Sequence, residues 1–260
     1  MRWWRVVLSL VLALTSPAAW GAACESKIAV TKPRPPIQLA AAPVEGSVGL
    51  TFLGHASFLI ESPRGVRIVT DYNDYIRAPM TPDVITMNLA HSTHHSARPD
   101  PAIKLVLRGW DEGGGVAQYD TAFGDVRIRS IPTNIRDFGA TRRAGNSIFV
   151  FEIEGVCIVH LGHLHHTLTP QHLSELGKVD VLLAPVDGTY TMGHEEMVET
   201  VNDIRPSLLI PMHYFGSYVL EAFLARLGGT WPVRRLQVSF VELSRATLPD
   251  PAEVLVLPGQ

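Results

Sequence analysis

Cys157-Ile158-Val159-His160-Leu161-Gly162-His163-Leu164-His165-His166 is the stretch on which the reading of this chain turns, because an apolar run passes directly into four histidines. The run starts at Ile148, is rich in β-branched and aromatic residues, and therefore reads as strand. Two other strand-like runs end the same way. Residues 84–87 are followed by His91, His94 and His95, and residues 208–211 by His213. Loops at strand ends are where a rigid sheet can hold side chains toward one point, and neutral imidazole is a common zinc ligand.

On the N-terminal side, residues 48–53, 57–60 and 66–70 are short β-like runs, the last following a Pro63-Arg64-Gly65 turn, with Asp71 at its end. Residues 105–107 and 126–131 add strands, and the polar segment 134–146, with Arg136, Arg142 and Arg143, reads as a loop between 126–131 and 148–159. On the C-terminal side the rhythm changes. Thr169-Pro170 is an N-cap followed by proline at the first helical position, opening a short helix through Leu176 that stops at Gly177. Residues 179–186 are nearly all apolar, as in a strand covered on both faces. Met197, Val198, Val201 and Ile204 recur at helical spacing, as do Leu220, Phe223, Leu224 and Leu227 before Gly228-Gly229. Strand-then-helix units in two successive halves predict an α/β chain of two packed sheets with helices outside them. Residues 254–257 are expected as a last edge strand in a proline-containing tail, 246–260.

Residues 1–23 carry Arg2 and Arg5, an apolar run over 6–14, and small residues near Ala22 and Ala23, the three parts of a secretory signal. The apolar run is too short to span a bilayer comfortably. The expected product is periplasmic or secreted, with no integral membrane domain after cleavage. Cys24 follows Gly21-Ala22-Ala23, but the aliphatic residue of a lipoprotein box is missing, so a lipid anchor there is only weakly indicated. Residues 24–47 read as a Pro/Ala-rich linker, and 48–245 as the domain. Cys157 is the only other cysteine, which excludes a disulfide framework. Acidic residues outnumber basic ones, 25 against 22, and no basic stripe suited to nucleic acid appears. A small-molecule substrate is the expected partner.

Gly54-His55-Ala56-Ser57-Phe58-Leu59-Ile60, Val69-Thr70-Asp71, His160-Leu161-Gly162-His163-Leu164 and Ile210-Pro211-Met212-His213-Tyr214, in that order, resemble the metallo-β-lactamase superfamily. The branch they look like contains the ascorbate-phosphate lactonases and related metallohydrolases. The resemblance spans about residues 48–240 and implies a four-layer αββα sandwich and hydrolysis by metal-activated water. It also exposes departures. Aligning His94 with the last histidine of the family's His-x-His-x-Asp-His places His91 on the second, while Leu89 and Thr93 replace a histidine and an aspartate. Asn134 or a neighbour takes the place of a later histidine, and Gly162-His163 that of a Gly-Asp pair.

What survives implies one zinc ion held by His94, His163 and His213, with a fourth corner open to water. His91 and His166 would assist as extra ligands or supports, and His91 or Asp71 would orient the water or carry its proton. The implied activity is cleavage of an ester, lactone or phosphoester; the alternative is a binding protein or metal carrier that has lost the two-metal site. Other histidines stay open. His55 either caps a turn or lines the site, His160 reads as packed, His172 and His194 as surface residues, and His95 as turned away from His94. Asp187, before Gly188, either reaches the site or stabilises a turn.

Overall fold

A computed structural model describes residues 43–259 except Phe138. The leader, Cys24 and most of the linker lie outside the described residues. Along the chain come β1 (Ser47–Gly54), β2 (Ser57–Glu61), β3 (Arg67–Val69), β4 (Val84–Met87), β5 (Leu105–Arg108), β6 (Asp120–Phe123), β7 (Val126–Asp137), β8 (Ala140–Ile153) and β9 (Val156–His160). The second half adds α1 (Pro170–Leu176), β10 (Val181–Pro185), α2 (His194–Ile204), β11 (Leu208–Met212), α3 (Ser217–Leu227), β12 (Val233–Arg235), β13 (Phe240–Ser244) and β14 (Glu253–Val256). They form a six-stranded sheet, β13-β1-β2-β3-β4-β5, and an eight-stranded sheet, β12-β14-β11-β10-β9-β8-β7-β6.

The two-residue side-chain period of strands explains how β8 serves two cores. Phe149 and Phe151 point between the sheets, against Leu50, Phe58 and Ile60 of the first sheet and Ile158 and Leu183 of their own. Ile148 and Val150 point outward and meet Leu176, Met197, Val201, Leu220 and Phe223 from the three helices. The expected sandwich of two sheets is therefore present, with an unequal outer dressing. Among the described residues all three helices cover the eight-stranded sheet. The outer apolar face of the other sheet, including Leu59, Val69, Ile85 and Met87, is covered by Tyr72, Ile76, Met80, Ile103 and Trp110. None of the described helices is long and apolar enough to cross a membrane.

Thr169 caps α1 as expected: its side chain accepts from the His172 amide, and the His172 ring accepts from the Thr169 amide. Three expectations need correction. The run 148–159 is two antiparallel strands joined at Glu154-Gly155, both at positive φ (50° and 72°), the backbone that a tight hairpin turn requires. Residues 134–146 are mostly the paired arms of β7 and β8, with a bulge between Thr133 and Ile135. Strand β14 is not at an edge; it lies between β12 and β11.

Strands β3 and β4 are parallel neighbours in one sheet, and β9, β10 and β11 in the other. Ligands of α/β sheets bind outside the carboxyl ends of such strands. Asp71 follows β3, His91 and His94 follow β4, His163 follows β9, Asp187 follows β10 and His213 follows β11.

Candidate metal centre

Ring centroids of His94, His163 and His213 lie 4.7 to 5.0 Å from one another. His94 and His213 are stacked at 20°, and His163 stands nearly perpendicular to both, at 89° and 85°. His55 joins them, 4.1 Å from His213 and 5.1 Å from His94. One ring nitrogen from each of His55, His94 and His213 falls within 4.8 Å of the others. His91 stands at the exposed rim, 4.8 Å from His163 and edge-on to it.

Backbone strain marks the same place. Six described non-glycine residues have positive φ, and three of them are His55 (53°), Asp71 (43°) and His213 (56°). Such conformations persist where the surroundings over-determine them, and they concentrate at functional sites. A 2.6 Å hydrogen bond from the His213 amide to the His55 carbonyl ties two of these turns together.

Two carboxylates fix the imidazoles. His94 Nδ1 lies 2.5 Å from Asp71 Oδ2, and His213 Nδ1 lies 3.0 Å from Asp187 Oδ2. Asp71 is fully buried; burial pushes its pKa up to about 6, against the pull of His160 and of the Asn88 amide on Oδ1. Asp187 behaves oppositely. Burial would raise it, but hydrogen bonds from His213, from Thr191 Oγ1 and from the amides of Thr189, Tyr190 and Thr191 hold it well below the usual carboxylate range. Burial lowers His94 well below the ordinary imidazole value, and lowers His55 to about 3, so both rings are neutral near pH 7.

These contacts revise several expectations. Asp71 was a candidate to orient water or carry its proton, but its oxygens are taken by His94 and Asn88, so it positions His94 instead. Asp187 both reaches the site and stabilises its turn. His166 is not in the cluster: its Nε2 accepts from the Asn134 amide at the β7 bulge and its Nδ1 donates to the Thr167 carbonyl. His160 is packed, bridging Ala56 and the Gly162 amide. His95 turns away, toward the Asn88 carbonyl and Trp110. A cavity of about 390 Å³ lined by Thr133, Asn134, Arg143 and His172 touches none of the clustered rings, so chemistry, not concavity, identifies the site.

Sequence reasoning missed Asn88 and Asn146, which lock the loops. The Asn88 amide donates to Asp71 and its carbonyl accepts from the Ser147 amide, while Asn146 accepts from the His163 amide and donates to Leu161 and Thr133. Gly162 (φ 62°) lies against both, and a Cβ there would sit 2.4 Å from each asparagine. Gly162→Ala is expected to destabilise the fold by roughly 2–3 kcal/mol, read as a lower midpoint in urea unfolding with an unchanged slope.

The family model described as "Beta-lactamase superfamily domain" matches residues 49–213. A metal-dependent hydrolase of Thermococcus kodakarensis is 27% identical over 239 residues, covering 82% of this chain and 98% of its own. One from Archaeoglobus fulgidus is 27% identical over 195 residues, covering 64% of this chain and 82% of its own. Among solved structures, a Thermotoga maritima protein described as a zinc-dependent hydrolase of the metallo-β-lactamase superfamily is 32% identical. It superposes with a TM-score of 0.60 over 82% of this chain and 100% of that one. The sandwich, the strand-end histidines and these likenesses agree: the chain belongs to the metallo-β-lactamase superfamily, as a hydrolase whose relatives are metal-dependent.

Proposed function

We propose that this chain is an exported hydrolase that holds one zinc ion between His94 and His213 and cleaves an ester, lactone or phosphoester with water. The observation that carries this reading is a pair of facing nitrogens. With both Nδ1 protons directed at carboxylates, the Nε2 atoms of His94 and His213 present lone pairs to each other at 3.1 Å. Lone pairs at that distance repel unless a positive charge, a proton or a metal ion, lies between them. Nitrogens bound tetrahedrally to zinc at about 2.0–2.1 Å are themselves about 3.3 Å apart, so the residues fit the ion. His55 supplies the third nitrogen. An all-imidazole donor set suits zinc better than magnesium or calcium.

A cation held here supplies Lewis-acid polarisation of the scissile group and eases deprotonation of the attacking water. The chain's own residues do the rest. Asp71 and Asp187 hold the imidazole tautomers and raise the basicity of the opposite nitrogens. His91, exposed at the rim, is placed to meet the substrate. Tyr190 and Phe215, 60% and 63% exposed and 5.6 Å apart, frame the mouth beside His91 and His55. Exposed aromatic rings favour a substrate with an apolar or ring-bearing group next to the scissile bond. Export rests on the leader, and predicts a mature chain beginning near Cys24.

The test is metal analysis of purified protein with hydrolysis assays on an ester, a lactone and a phosphodiester. The expected result is one zinc per chain, with turnover of one class abolished by chelation and restored by zinc. Bound metal without turnover across the panel would make the protein a metal carrier instead.

A further inference from the structure

His163 is the buried member of the cluster whose role the cation does not explain. Its Nδ1 lies 2.5 Å from His165 Nε2, and its Nε2 is buried without a hydrogen-bond partner. Which nitrogen carries the proton follows from the other end of the chain of contacts. His165 Nδ1 accepts from the Arg136 backbone amide at 3.0 Å and faces Arg136 Nε at 3.3 Å. Both of those donors have fixed protons, so His165 Nδ1 must be bare. An imidazole that is not an anion carries at least one ring proton, and a ring whose Nδ1 accepts a hydrogen bond carries that proton on Nε2. The single His165 proton therefore sits on Nε2 and points at His163 Nδ1, which must be bare in turn. That leaves the single His163 proton on Nε2.

An N–H has no lone pair in the ring plane to give a metal ion, whereas the matching nitrogens of His94 and His213 do. Turning His163 into a ligand would require protonating His165 Nδ1 against the Arg136 amide. Resting on the cation reading above, we propose that His163 is a catalytic hydrogen-bond donor rather than a metal ligand. Its Nε2–H, oriented by His165 and Arg136, is directed at the oxygen of the scissile carbonyl or phosphoryl group beside the cation. The rings of His91, His94 and His213 lie within 4.9 Å of the His163 ring, centre to centre, so an oxygen bound among them would supply the acceptor that Nε2 lacks. A neutral N–H aimed where negative charge develops stabilises a transition state without changing its own ionisation. His165 and Arg136 are positioning residues.

Long-range proton–nitrogen correlation spectra of the histidine rings, recorded on wild-type protein without metal and with one equivalent of zinc, test this directly. The expected pattern is Nε2–H for His163 in both states, and Nδ1–H with a zinc-shifted Nε2 for His94 and His213. A His163 ring protonated on Nδ1, with its Nε2 shifted by zinc, would overturn the proposal. In parallel, His163→Ala should keep stoichiometric zinc while binding inorganic phosphate, used as a tetrahedral oxyanion probe, at least tenfold more weakly than wild type. His163→Gln, whose amide offers an N–H at similar reach, should recover part of that affinity. Loss of zinc from His163→Ala to the extent seen in His94→Ala, or unchanged phosphate binding, would contradict it. Because the metal-free spectrum decides the tautomer alone, failure of wild type to take up zinc would count against the cation reading and not against the proton's position.

Discussion

His213→Ala is expected to leave purified protein without stoichiometric zinc and to lower hydrolysis on the order of a thousandfold, equivalent to about 4 kcal/mol of transition-state stabilisation. The reason lies in the pairing of its Nε2 with that of His94 at 3.1 Å. Removing either ring leaves only the other and His55, two nitrogens that no longer close a three-sided site, so His94→Ala should match it. Changes one bond further out should be milder. Asp187→Asn and Asp71→Asn keep a hydrogen-bonding group beside the ring but no longer force the Nδ1–H tautomer, and metal affinity should fall about 10–100-fold. Zinc titration against a competing chelator, with steady-state rates on the best substrate of the panel, separates the two tiers. Equal losses in all four variants would mean that the site collapses as a whole.

Phe149→Ala is expected to cost about 3–5 kcal/mol of stability. Phe149 is fully buried between the sheets, stacks with Phe151 and Tyr119 at 6.5 Å, and sits opposite His160 on β9. Truncation opens a cavity at the centre of the sandwich, which rigid sheets cannot close. For a chain of this size the loss corresponds to a melting temperature lower by roughly 6–20 °C. Tyr190→Ala, at the exposed rim, should change the melting temperature little while altering substrate preference. Differential scanning calorimetry of metal-free samples keeps ligand stabilisation out of the comparison.

The contrast between these two predictions follows how legible each layer was. The β/α rhythm of the second half could be read because its cues are local: Thr169-Pro170 opens one helix and Gly228-Gly229 ends another. The strand-end positions of His91, His94, His163 and His213 were equally visible, since a loop after a parallel strand needs only the strand to be found. Other features depend on contacts between distant segments. The Glu154-Gly155 turn lay inside a run read as one strand, because the arms on either side, 148–151 and 156–159, are both apolar and strands buried on both faces leave no alternation to break. The inner position of β14 is set by pairing with β11 and β12, which no local pattern encodes.

In the site, residue types were readable but not the direction of their protons. His166 resembles its neighbours in sequence, yet the bulge at Asn134 claims its Nε2. His163 looked like a ligand because the sequence resemblance sets Gly162-His163 in the place of the family's Gly-Asp pair, and it is the Arg136 amide, 27 residues away, that fixes the protons of the His165–His163 pair. Asp187 read equally as a turn residue or as one reaching the site; it is both, and the contact of its second oxygen with His213 depends on β10 and β11 lying side by side.

The most direct measurement is an anomalous difference map from crystals grown with zinc, collected on both sides of the zinc absorption edge. A single peak about 2.0–2.1 Å from Nε2 of both His94 and His213 is the predicted result. A peak bound elsewhere, or none among the clustered histidines at full zinc loading, would contradict it.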